Sequence, residues 1–163
     1  MNKEFLVKVS RTVTSSDFEI RIDENPRIRY VYLGDPIDSK IVNCLNVNGG
    51  ELLVGLNSQR RINSIEMNIP RDYWKNLADS ELHRPNHAIR SNIEFVNMGL
   101  TSERTKTFDL PLIIYVNEKL TSMKIEIGPF GRDNSGWLAI SNNCLVELKE
   151  ENLVGFWIDL VDQ

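Results

Sequence analysis

Residues 41–69 read IVNCLNVNGGELLVGLNSQRRINSIEMNI, three short apolar or alternating runs parted by two turn signals. Ile41, Asn43, Leu45 and Val47 mark the first run, which Asn48, Gly49 and Gly50 interrupt. Leu52 to Leu56 is nearly continuous and apolar, and closes at Asn57, Ser58, Gln59 and Arg60. In the third run Ile65, Met67 and Ile69 share one face, with Ser64, Glu66 and Asn68 on the other. A period of two puts alternate side chains on opposite faces of a strand, and a helix cannot satisfy it. Turns this short join antiparallel neighbours. The stretch therefore predicts a three-stranded meander.

The same pattern recurs along the chain. Residues 5–9 alternate, and Phe18, Ile20 and Ile22 alternate with Glu19, Arg21 and Asp23. Residues 28–33 are β-branched and aromatic, and residues 91–98 read as a further strand. Residues 108–116 and 120–127 predict a hairpin around Asn117, with Pro111 marking an edge or bulge. Residues 137–140 and 144–148 predict another around Ser141, Asn142 and Asn143. Residues 153–161 fit both a strand and a helix face; Val154, Phe156, Ile158 and Gly155 favour the strand.

Residues 70–81 read differently. Pro70 suits a first helical turn, and Tyr73, Trp74, Leu77 and Leu82 form an apolar stripe with Arg71, Lys75 and Asp79 outward. This predicts the main helix, burying Tyr73, Trp74 and Leu77. The expected fold is a single α+β domain over residues 1–163, with eight to ten mostly antiparallel strands and one helix near 70–81. Its sheets pack on each other or wrap the helix. At 163 residues a chain buries enough surface to hold a core without disulfides or metals.

The formal charge of −4 and pI of about 5.3 exclude bulk nucleic-acid binding through the net field, which needs a concentrated positive surface. Arg60, Arg61, Arg71, Lys75, Arg84 and Arg90 show no aromatic interleaving like that of an RNA-binding strand motif and read as a solvated basic face. Residues 1–10 hold no apolar run of signal-peptide length, and no window approaches the roughly 18 apolar residues of a membrane span. The expected compartment is the cytoplasm, with no membrane contact. Cys44 and Cys144 fit it as small buried thiols inside strands.

His83 and His87 have the spacing of a metal pair on a helix, but Pro85 between them predicts a loop, and no third ligand is in register. No metal or cofactor is assigned. A hydrolase reading would use His83 or His87 with a carboxylate brought near by folding; no Gly-x-Ser-x-Gly elbow accompanies them. Asp109, Glu126 and Glu147 are candidate acid–base carboxylates, yet nothing in the sequence brings them together, so no catalytic residue is named. Residues 128–136 lack the Gly-Lys-Ser/Thr ending of a phosphate loop. Phe130 and Arg132 on that loop read instead as interface anchors.

Charge is uneven. From residue 133 onward Asp133, Glu147, Glu150, Glu151, Asp159 and Asp162 face Lys149 alone, so this stretch is more acidic than the whole chain. Glu147, Glu150 and Glu151 read as an acidic surface able to steer and orient a basic partner.

Residues 52–67, LLVGLNSQRRINSIEM, resemble a hairpin of small bacterial proteins, with Asn57 and Arg60 in place of the usual acidic and glycine turn residues. In overall type the chain resembles bacterial immunity proteins of contact-dependent inhibition and polymorphic toxin systems: small, acidic, β-rich and without a catalytic motif. That resemblance implies a non-enzymatic cytoplasmic inhibitor that covers the active site, or a nearby surface, of a basic toxin, typically a nuclease domain. Phe130, Arg132, Asp133, Glu147, Glu150 and Glu151 are the expected contacts. An oligomerising structural β-domain is the other non-enzymatic alternative.

Overall fold

The computed structural model describes residues 7–10, 17–22, 31–96, 104–128 and 135–160. Among them are fifteen strands and one 3-10 turn. The first six strands are β1 (Val7–Ser10), β2 (Glu19–Ile22), β3 (Val31–Gly34), β4 (Asn43–Val47), β5 (Leu52–Leu56) and β6 (Ile62–Met67). Four short ones follow: β7 (Lys75–Leu77), β8 (Ile89–Arg90), β9 (Asn92–Phe95) and β10 (Thr105–Phe108). The last five are β11 (Leu112–Asn117), β12 (Ser122–Ile127), β13 (Gly136–Ala139), β14 (Cys144–Lys149) and β15 (Asn152–Asp159).

The meander forms as its alternation dictates. β4, β5 and β6 pair antiparallel, with Leu45 opposite Val54 and Val54 opposite Ile65. Leu45, Val47, Leu52, Val54, Ile65 and Met67 are buried. The first run begins two residues later than its alternation implies, leaving Ile41 half exposed. Asn48, Gly49 and Gly50 take successive positive φ values, which glycine and asparagine tolerate best. At the second turn Asn57 Oδ1 accepts from the N–H groups of Gln59 and Arg61, and this local support holds Arg60 at φ 60°.

The meander is the centre of a six-stranded sheet in the order β10-β4-β5-β6-β3-β2. The C-terminal hairpins build a seven-stranded sheet, β7-β11-β12-β15-β14-β13-β8, and β1 pairs with β9. One hydrophobic cluster joins the two large sheets: Leu33, Leu45 and Met67 from the first lie with Ile114, Ile125 and Phe156 from the second. The fold is thus a sandwich of two sheets around a shared core.

The margins of the sheets are exchanged. Antiparallel β11-β12-β15-β14-β13 is flanked by β7 and β8, both donated from the chain before β10 and both parallel to their neighbours. In return β10 crosses to lie parallel to β4. Residues 109–111, including Pro111, carry the chain from β10 in one sheet to β11 in the other. The run expected as one strand over 108–116 is therefore two, divided between the sheets.

The expected α+β class with a main helix is overturned: the fold is nearly all β. Residues 70–81 contain only the 3-10 turn Arg71–Tyr73, without a side-chain cap, followed by β7. The apolar stripe does not act as a stripe. Trp74 is buried and extended, and donates Nε1–H to Ile69 O at 2.8 Å, whereas Tyr73 is 75% exposed. Leu77 is half-buried in β7. The open edge of β11 offered Lys75–Leu77 backbone partners at Tyr115–Asn117, and that pairing replaced the helix. The strand count likewise exceeds the expected eight to ten, because two- to four-residue edge strands carry too little pattern to be read locally. Of residues 153–161, those up to Asp159 are strand, as part of β15, and Val161 lies outside the described residues. No helix of the described residues is long and apolar enough to cross a membrane.

Candidate functional site

β14 and β15 are joined by a two-residue turn, with Lys149 opposite Asn152. Its central residues, Glu150 and Glu151, are exposed and have φ values of 50° and 65°. Positive φ at both central positions defines a type I′ turn, which follows the twist of a hairpin and favours Asn-Gly. Here two glutamates occupy it. Asn152 Nδ2 donates to Glu150 O at 3.2 Å, and Val7 N donates to Glu151 O at 2.8 Å, so β1 pins the turn from outside the hairpin.

Glu147 does not join this exposed pair. It is 3% exposed, and Ser135 Oγ donates to its Oε1 at 2.7 Å. The expectation that Glu147 lies on the acidic surface is corrected: β14 runs too deep into the sheet at that position. Phe130, Arg132 and Asp133 lie outside the described residues. The strands that their loop connects, β12 and β13, flank the β14–β15 hairpin, and both meet that loop at the hairpin's turn end. The topology therefore brings the ends of the loop and the Glu150–Glu151 turn to one end of the sandwich.

Register also unites residues that the sequence leaves apart. On the outer face of the seven-stranded sheet, Glu126 faces Gly155, Gly155 faces Glu147, and Glu147 faces Trp137. The next row runs Lys124, Trp157, Leu145, Ala139. Gly155 thus sets no side chain between the two carboxylates. Lys124 Nζ pairs with Glu126 Oε1 at 3.0 Å and lies 5.9 Å from the Trp137 ring centre. Their backbones are three strand spacings apart, about 14 Å, so these side chains reach toward each other across β15 and β14. Asp109 follows β10, exposed and outside both rows. Only the outward alternation of Lys124, Trp137 and Trp157 signalled this patch in the sequence, and the strand order was needed to see it.

His83 and His87 are both exposed, in the loop between β7 and β8. Among the described residues neither is hydrogen-bonded to a carboxylate, and no group of three His, Cys, Asp or Glu could hold a metal ion. His83 borders a cleft beside Trp137; His87 is not among the lining residues. A second cleft, of about 330 Å3, lies between the 35–38 loop and the Asn57 turn. Its rim is tied to itself. Asp35 Oδ1 accepts from the N–H groups of Ile37 and Asp38, Asn57 Nδ2 donates to Asp38 Oδ2 at 2.7 Å, and Arg61 pairs with Glu94 at 3.1 Å.

Cys44 and Cys144 are free. Burial, then the charge of Glu66, pushes the Cys44 thiol up. Burial, then Asp159, does the same more strongly to Cys144. Neither is an activated nucleophile, which needs a lowered pKa. No protein-family model matches the chain, and no curated protein matches it.

Proposed function

We propose that the chain is a non-enzymatic binding protein of the immunity type, which neutralises a basic toxin domain, a nuclease in the leading case, by covering its active site or an adjacent surface. The observation that carries this reading is the Glu150–Glu151 turn. Two exposed carboxylates stand side by side in a backbone conformation that disfavours them. A chain selected for stability alone would place Asn-Gly there. Strain kept at an exposed, charged turn is support for a contact made through those carboxylates. Phe130, Arg132 and Asp133, expected contacts on the 128–136 stretch, are proposed to extend this surface. Clustered charge of one sign raises the encounter rate with a partner of the other and fixes its orientation.

Co-expression with the gene just upstream, followed by co-purification, tests the reading. The complex is expected to weaken at high salt and in the Glu150→Asn/Glu151→Gly variant, while the variant stays folded. A chain that purifies alone, and whose deletion leaves the neighbouring toxin harmless, would refute it.

A further inference from the structure

A cleft of about 380 Å3 opens on the outer face of the seven-stranded sheet, and no residue of the Glu150–Glu151 turn lines it. Trp157, buried at 1% exposure, and half-buried Trp137 supply its indole surfaces, and Leu82, packed against the same cluster, and Pro85 form the rest of its apolar wall. That wall is anchored through Arg84. Its Nε donates to Asp159 Oδ2 at 2.9 Å, and its Nη2 donates to Asn142 O at 2.9 Å. Asp159 in turn accepts from Trp157 Nε1 at 2.9 Å, so floor and wall share one carboxylate.

The polar groups around the cleft are mixed in kind. Glu81 only accepts, Lys124 only donates, and the His83 imidazole and Asn86 amide do both. Lys124 is already neutralised by Glu126. An anion would meet Glu81, a small cation would meet Lys124, and a plain aromatic would use only the apolar walls. A hydroxyl both donates and accepts, so a polyhydroxylated ring uses the whole set. The partly positive C–H face of such a ring suits the negative face of an indole, the attraction that already draws Lys124 Nζ toward Trp137.

We propose that this cleft binds a hexopyranose sugar, its C–H face laid on the Trp137 indole and its hydroxyls shared among Glu81, His83, Asn86 and Lys124. The site is independent of toxin binding, and each reading can fail without the other. In the test, the full chain is titrated with glucose, galactose, mannose and N-acetylglucosamine, following tryptophan emission and the backbone amide shifts of residues 81–86. At least one sugar is expected to give a saturable change in both. Trp137→Ala and the exposed-loop variant Asn86→Ala are each expected to weaken it about tenfold. Glu150→Asn/Glu151→Gly is expected to leave it unchanged. The proposal is overturned if no sugar gives a saturable change up to its solubility limit. It is equally overturned if a folded Asn86→Ala chain binds as tightly as the parent, or if indole-3-acetate occupies the cleft and no sugar displaces it.

Discussion

Glu150 and Glu151 hold a left-handed backbone without the glycine or asparagine that makes such a conformation easy. Relieving both positions with Glu150→Asn/Glu151→Gly is expected to raise unfolding free energy by about 1 to 2 kcal/mol. Denaturant melts of parent and variant measure it. A variant no more stable than the parent would mean that the turn holds no strain. Cys144 supplies a second residue-level test. The unfolded chain loses this thiol proton near pH 9.0, whereas burial keeps the proton on the folded thiol to higher pH. Its contribution is complete below that value and is lost as pH rises beyond it. Stability should fall by about 1.4 kcal/mol per pH unit for this one group. Cys144→Ala removes that part of the slope, which melts on either side of pH 9 would show as a flatter alkaline limb than the parent's.

At the scale of elements, Asn143 ties the two sheets together. Lying in the turn between β13 and β14, it accepts from Phe18 N at 3.1 Å and donates to Phe18 O at 2.8 Å, just before β2 in the opposite sheet. Its Oδ1 also accepts from Ser141 Oγ at 2.8 Å, so Asn143→Ala should cost about 3 kcal/mol for three lost bonds. Hydrogen exchange should then show β2 amides losing protection while those of β15 keep theirs. Loss spread evenly over both sheets would contradict the local role of Asn143. The same scale separates what could be read in the sequence from what could not. The β4–β6 meander was legible because alternation and turn residues are neighbours in the chain. β7 was not: Trp74 and Leu77 suggest a helix locally, and the β11 edge that overrules them lies nearly forty residues away. Glu150 and Glu151 were legible as an acidic surface, but their φ values were hidden by residues that rarely adopt them. Glu147 was misread because its depth in the sheet depends on Ser135 and on the strands either side. The Trp137 cleft was illegible until register set Lys124 and Trp137 on one face.

At the scale of the molecule, half of the strand pairings join distant parts of the chain. Slow folding, in milliseconds to seconds, is the usual rate for such topologies. A single core cluster shared by the two sheets makes their unfolding cooperative. The exchange of β7, β8 and β10 carries a further consequence. A chain cut within residues 97–103 would leave an N-terminal piece lacking the margin of its sheet at β4, and a C-terminal piece lacking both margins of its own. Each fragment then exposes backbone donors and acceptors that only the other can satisfy. Fragments 1–98 and 99–163 should each stay unstructured alone and regain the native circular dichroism spectrum when mixed. Either fragment folding by itself would show that the exchanged strands are dispensable. The two halves of this sandwich are in effect obligate partners that happen to be joined by a peptide bond, and a severed chain should behave as a heterodimer.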